Sequence, residues 1–155
     1  MQIKANTVQH HLELVLRKIC DQYIVIHAAG RTDAEVHALG QVVHFETEST
    51  ITCGSLRKAL KSSLPEDIVI DRVVDVTTDF HARFSALDRE YIYNFSFNAP
   101  VPLYLQDWVV ELYPENLNIA LLKKAIGYIK GFHDFSAFSS SADKSERKKR
   151  TVDLI

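Results

Sequence analysis

Val8, Leu12, Val15, Leu16 and Ile19 recur at helical spacing and form one apolar face, which predicts an amphipathic helix over residues 7–21. Asn6 or Thr7 can cap it, with Gln9 three residues after Asn6. Residues 23–29 are short, apolar and partly β-branched, and residues 40–47 (Gly-Gln-Val-Val-His-Phe-Glu-Thr) follow suit, so both are predicted strands. Thr52 can cap a second helix in which Leu56, Ala59, Leu60 and Leu64 share a face and which Pro65 ends. Residues 67–76 alternate around Ile68, Ile70 and Val73 and predict a third strand. The order α-β-β-α-β is that of a β-α-β-β-α-β ferredoxin-like unit entered at its first helix. On this reading the first strand is not in the sequence. Another chain covers its place or the position stays open, and an open apolar sheet edge invites aggregation.

A turn near Thr77-Thr78-Asp79 leads into Phe80-His81-Ala82-Arg83-Phe84-Ser85-Ala86. Residues 89–97 then alternate, with aromatics at Tyr91, Tyr93, Phe95 and Phe97, a strand pattern broken by Pro100 and Pro102. Residues 107–113 predict a further strand. Asn118 can cap a helix with Ile119, Leu122, Ile126 and Ile129 on one face, ended by Gly131. Residues 132–138 are expected as an ordered aromatic loop, and residues 151–155 as a strand cut short. The expected class is α+β, ferredoxin-like or RRM-like, with an antiparallel sheet and helices on one face. Residues 1–80 would form an N-terminal half lacking its first strand, and residues 81–155 the beginning of a second half.

Composition narrows the setting. The 155 residues suit one ordinary domain or two very small ones. With 46% hydrophobic and 25% charged residues the chain has a globular composition. No apolar run approaches the ~18 residues of a membrane span, and the N-terminus lacks the apolar stretch of a signal peptide. Cys20 and Cys53 sit among apolar helix-like neighbours, which favours buried thiols over a disulfide. A cytoplasmic protein is expected. The net charge of −2 argues against a strongly basic nucleic-acid binder but leaves room for a local basic patch, such as Lys144, Arg147, Lys148, Lys149 and Arg150. Seven histidines raise a metal reading. His37 with His44, and His10 with His11, do not converge on one point, and His-x3-His spacing is absent, so no metal site is expected.

The richest chemistry lies in Gly30-Arg31-Thr32-Asp33-Ala34-Glu35-Val36-His37-Ala38, a loop between two predicted strands. A scaffold clamped at both ends holds such a backbone while its side chains stay reachable. Asp33 could be a nucleophile, a base or a turn cap. Arg31 could meet a phosphate, or pair with Asp33 or Glu35. Tyr91 could stack on a ligand, or belong to an apolar stripe with Tyr93, Phe95 and Phe97.

Gly30-Arg31-Thr32-Asp33-Ala34-x-Val36-His37-Ala38-x-Gly40-Gln41-Val42-x-His44-Phe45 closely resembles the signature of the tRNA pseudouridine synthase A (TruA) family. Phe80-His81-Ala82-Arg83-Phe84-Ser85-Ala86, then Arg89-x-Tyr91-x-Tyr93, match the same family in the same order, as does Val8-Gln9 with the Leu12 to Leu16 helix. The resemblance runs from about Asn6 to the C-terminus and covers only the middle of a full member. The leading strand with its Tyr-Asp-Gly segment, and most of the second half, are missing. The missing half includes an arginine that would pair with Asp33.

The resemblance implies isomerisation of uridine to pseudouridine in the anticodon stem-loop of tRNA, at tRNA positions 38–40. It implies no metal and no organic cofactor, a fold of two ferredoxin-like halves sharing one sheet, and a homodimer with no membrane partner. It implies Asp33 as catalytic nucleophile or base, and Tyr91 as the ring stacked on the target uracil. Arg31 would help flip the nucleotide, with Thr32, His37, Gln41, His44, Arg83 and Arg89 on the RNA-binding side. Three places depart from the family. Glu35 stands where the family has Gly, with a penalty if that position needs a positive φ, and it adds a like charge that repels phosphate. Glu90 is acidic where a basic residue is usual, and Lys61-Ser62-Ser63 replaces an Asn-rich run before Leu64-Pro65. These departures keep a second reading open, a non-catalytic RNA-binding or dimerisation module.

Overall fold

The computed structural model describes residues 6–113, 117–138 and 149–153. Of the basic cluster, Lys144, Arg147 and Lys148 lie outside these residues. The described residues up to Glu90 form one compact unit and those from Tyr91 onward another.

The first unit is built on two helices. Helix α1 spans Val8–Cys20 and α2 spans Cys53–Ser63. Thr7, rather than Asn6, caps α1 by accepting a hydrogen bond from the His10 amide. Thr52 caps α2 in the same way through Ser55. The second helix stops at Leu64, whose ψ of 154° is extended, because a residue before proline is driven out of the helical region. Leu12 and Leu16 of α1 and Leu56 and Leu60 of α2 pack with Ile24 and Ile26 into one buried cluster. Val43, Phe45, Ile68, Ile70 and Val73 line it from the partly exposed side. Both helices thus cover one face of the extended segments.

Those segments form far less regular sheet than the sequence predicts. In place of strands over residues 23–29 and 40–47 stand β1, His27–Ala28, and β2, Val43–His44, paired antiparallel with His27 opposite His44 and Ala28 opposite Val43. Residues 23–27 still alternate exposed and buried, with Ile24 and Ile26 inward. Their backbone is met by side chains instead of a strand. Gln9 donates to Ile26 O at 3.4 Å, Arg17 Nε to Ile24 O at 3.0 Å, and the Ile26 amide to Glu13 Oε1 at 3.2 Å. Gln9, Glu13 and Arg17 are four residues apart, one stripe along α1, and Glu13 and Arg17 also pair at 3.3 Å.

Residues 67–76 carry no strand. No strand among the described residues pairs with this segment. Side chains hold it in place. Ile68, Ile70 and Val73 join the cluster, and Arg57 Nε donates to Ile70 O at 3.2 Å. The Cys53 thiol hydrogen-bonds the Asp75 carboxylate. That bond, with desolvation and the nearby negative charge, pushes the thiol above its ordinary pKa.

In the second unit β3, Phe95–Phe97, pairs in parallel with β4, Val110–Leu112, across a connection containing the 3₁₀ turn Leu103–Leu105. This departs from the all-antiparallel expectation and trims both predicted strands. The connection passes over rather than folding back as a hairpin, because Pro100 and Pro102 and the 3₁₀ turn carry the chain onward. Helix α3, Ile119–Gly127, is capped by Asn118 as expected, its side chain accepting from the Leu121 amide. Gly131, at φ 103°, opens β5, Gly131–Asp134, antiparallel to β6, Lys149–Val152. Residues 132–138 are thus a strand and a 3₁₀ turn (Ser136–Phe138) rather than a loop, since residues 149–152 supply a ladder partner.

Replacing Asp75 with Ala should lower the Cys53 pKa and speed its alkylation at pH 8 severalfold relative to Cys20, measured by peptide mass spectrometry. An unchanged rate would show that Asp75 does not restrain the thiol.

Candidate active-site loop and its supports

The loop between β1 and β2 is fastened at its mouth. The Ala29 amide donates to Val42 O at 2.8 Å, and Gln41 Nε2 reaches across to Gly30 O at 2.9 Å. Beyond that fastening residues 31–42 are exposed. Arg31, Thr32, Asp33 and His37 therefore all stand on one solvent-facing excursion of the first unit. Asp33 opens a tight turn in which its carbonyl accepts from the Val36 amide at 3.4 Å. Glu35, third in that turn, has φ 68°. A turn with positive φ only at its third residue has the type II pattern, which takes glycine there because a side chain crowds the backbone. The penalty anticipated at Glu35 is thus present. Among the described residues the one salt bridge is Arg17–Glu13, so Arg31 pairs with neither Asp33 nor Glu35.

Three further site residues do intramolecular work. Gln41 closes the loop mouth as above. His44, on β2, accepts a hydrogen bond at Nδ1 from the Ala82 amide at 3.1 Å. Arg89 donates from Nη2 to Ala29 O at 2.9 Å and to Arg83 O at 3.2 Å. The segment 80–86 is a compact turn. Ser85 N reaches His81 O at 2.8 Å, His81 N reaches Ser85 Oγ at 3.0 Å, and Arg83 N reaches His81 Nδ1 at 3.2 Å. Its Ala82 is buried. The Arg83 guanidinium lies 5.9 Å from the centre of the exposed Phe84 ring. The two motifs thus meet in space through His44 and Arg89. Tyr91 belongs to the second unit and is 73% exposed; Tyr93 and Phe95 are exposed beside it, so the aromatic stripe is not a core among the described residues. The rings of Tyr93, Phe95 and Phe97 stack at 6.3 and 6.1 Å.

One grouping was not foreseen. His27, His44 and His81 gather, with ring centres 5.1 Å apart for His27 and His44, 4.6 Å for His44 and His81, and 5.9 Å for His27 and His81. The alternation of residues 23–29 puts His27 on the outward side, and antiparallel register sets it opposite His44. That much could have been found by pairing the two predicted strands. Burial, then the neighbouring His81 and His27, lower the His44 pKa, and Glu46 opposes this. Among the described residues no group of three or more His, Cys, Asp or Glu is arranged to hold a metal ion.

A family model described as tRNA pseudouridine synthase matches residues 2–85, more than half of the chain. The chain belongs to the tRNA pseudouridine synthase family. Within it, the similarity extends over nearly the whole chain to proteins named tRNA pseudouridine synthase A. The one from Thermodesulfovibrio yellowstonii is 41% identical over 151 residues, 97% of this chain and 59% of its own length. That from Anaplasma phagocytophilum is 37% identical over 154 residues, 99% of this chain and 62% of its own. A Bacillus cereus protein named tRNA pseudouridine synthase A 1 is 37% identical over 153 residues, 98% of this chain and 62% of its own. The chain therefore spans about three-fifths of the length of these curated relatives.

Two outcomes follow. Glu35→Gly should raise unfolding stability by about 1 kcal/mol in urea titration, because it relieves a left-handed non-glycine residue; a loss of stability would contradict the turn geometry. His44 has a folded pKa below its unfolded value, so its contribution is complete above about pH 6.5. It declines as pH falls below that toward the folded pKa. His44→Asn should flatten the fall in urea midpoint between pH 7 and 5, and an undiminished fall would assign the effect elsewhere.

Proposed function

We propose that this chain takes part in pseudouridine formation in tRNA, at uridines of the anticodon stem-loop, with Asp33 as the reacting carboxylate. The observation that carries the reading is the placement of Asp33. It stands on a solvent-facing turn of a loop fastened at its base, in a chain that belongs to a family described as tRNA pseudouridine synthase. The reaction breaks the N-glycosidic bond, rotates the uracil and rejoins it to the sugar through carbon. Atoms and electrons balance without oxidant or reductant. A carboxylate serves as nucleophile or as base for a sugar proton, and either role requires a target nucleotide out of its stack.

In this reading Arg31, unpaired within the loop among the described residues, is available to the RNA backbone or to the gap left by the flipped base. Tyr91, well exposed, is available to stack on uracil. Thr32, His37 and Arg83 lie on the exposed surface of the same motifs and complete the RNA-facing set. Gln41, His44 and Arg89 support the loops. Homodimer assembly and a cytoplasmic location accompany this function; no helix among the described residues is long and apolar enough to cross a membrane.

A second reading, an RNA-binding module without catalysis, is favoured by one observation. Glu35 places a carboxylate and a left-handed backbone two residues from Asp33. The two readings separate in a tritium-release assay or pseudouridine mapping on unmodified tRNA. Catalysis predicts product that Asp33→Asn abolishes, with tRNA affinity changed less than about threefold, since a group acting on the reacting atoms contributes mainly to the chemical step. Salt-sensitive tRNA binding with no product supports the module, and product formation that survives Asp33→Asn rejects Asp33 as the reacting group.

A further inference from the structure

Arg89 is placed by resemblance among RNA-binding residues, yet its guanidinium is engaged by two backbone carbonyls. The same Nη2 donates to Ala29 O at 2.9 Å and to Arg83 O at 3.2 Å. The first carbonyl lies where the Asp33 loop leaves β1. The second lies in the 80–86 turn, whose Ala82 and Arg83 amides dock on His44 and His81. Gly30 adjoins the guanidinium closely: a Cβ there would sit 3.7 Å from Arg89 Nε. Hydrogen bonds from a charged donor are stronger than neutral ones. The first of the two here joins residues 60 apart in sequence.

We infer that Arg89 is a positioning residue, fixing the base of the Asp33 loop against the 80–86 turn so that the two motifs keep one relative geometry. It acts through the backbone and not on an RNA phosphate. The consequence for catalysis rests on the proposed function; the mechanical claim does not. A displacement of about 1 Å in a reacting group can cost on the order of 100-fold in rate, so a tie at the loop's base matters even though Arg89 touches no reacting atom.

The test uses the full 155-residue chain with Arg89→Ala and Arg89→Lys. Hydrogen exchange is read at the Ala29 and Ala82 amides, which are hydrogen-bonded on the two sides of the tie. Arg89→Ala should accelerate both together, on the order of tenfold for the loss of two exposed charge-assisted bonds. Amides in α1 should hold their rates, and Arg89→Lys should recover part of the protection. Acceleration on one side only, or on neither, overturns the inference. A second arm measures tRNA affinity against salt. A phosphate ligand would lower the slope of log K against log salt by roughly 0.7–0.9 on removal, and that result also overturns the inference; an unchanged slope supports it. Where the unmutated chain makes pseudouridine, Arg89→Ala should lower kcat with KM nearly unchanged. If the unmutated chain neither binds nor modifies tRNA, the proposed function fails, while exchange at Ala29 and Ala82 still decides the role of Arg89.

Discussion

Everything of functional interest in the first unit hangs on a ladder two residues long. His27 faces His44 and Ala28 faces Val43, and from this short antiparallel contact the Asp33 loop departs and returns. So small a ladder sets register weakly on its own, since a one-residue slip costs few hydrogen bonds. Register here is enforced from both faces. On one side Ile24 and Ile26 fill the cluster under α1 and α2, and a slip would turn them into water. On the other, the imidazoles of His27 and His44 overlie one another with His81 against them. Apolar burial and ring packing thus fix what backbone pairing alone would leave loose.

A second theme is substitution of side chains for strand neighbours. Backbone amides and carbonyls that meet neither water nor a partner are costly. Along residues 24–26 the stripe Gln9, Glu13 and Arg17 meets them, and Arg57 meets the Ile70 carbonyl in the segment 67–76. The same device recurs at the loop, where Gln41 and Arg89 bind carbonyls. Polar residues that a motif alone assigns to RNA are in part the joinery of the fold, while Arg31, Asp33 and Arg83 remain at its exposed surface.

What could be read from the chain follows the range of the forces involved. The caps at Thr7, Thr52 and Asn118 are settled within three residues, and the sequence shows all of them apart from the choice between Asn6 and Thr7. The strain at Glu35 was legible only through the family resemblance, which puts glycine at that position. Strand lengths were not, since a period of two describes a segment able to pair and says nothing of whether a partner lies beside it. Residues 67–76 show the difference, alternating as a strand should without being one. The place of His81 beside His27 and His44 and the contact between Arg89 and Ala29 were out of reach for the same reason, joining places that only the folded backbone brings together. The parallel pairing of β3 with β4 depended on the path taken through residues 98–109.

Among the described residues Val101 is the one buried apolar side chain after Glu90, and α3 buries none of its residues. Local opening costs least where few apolar contacts must be broken. A protease offered the whole chain would therefore find its earliest cuts beyond Glu90, and the fragment surviving longest would carry the Asp33 turn together with both helices that support it.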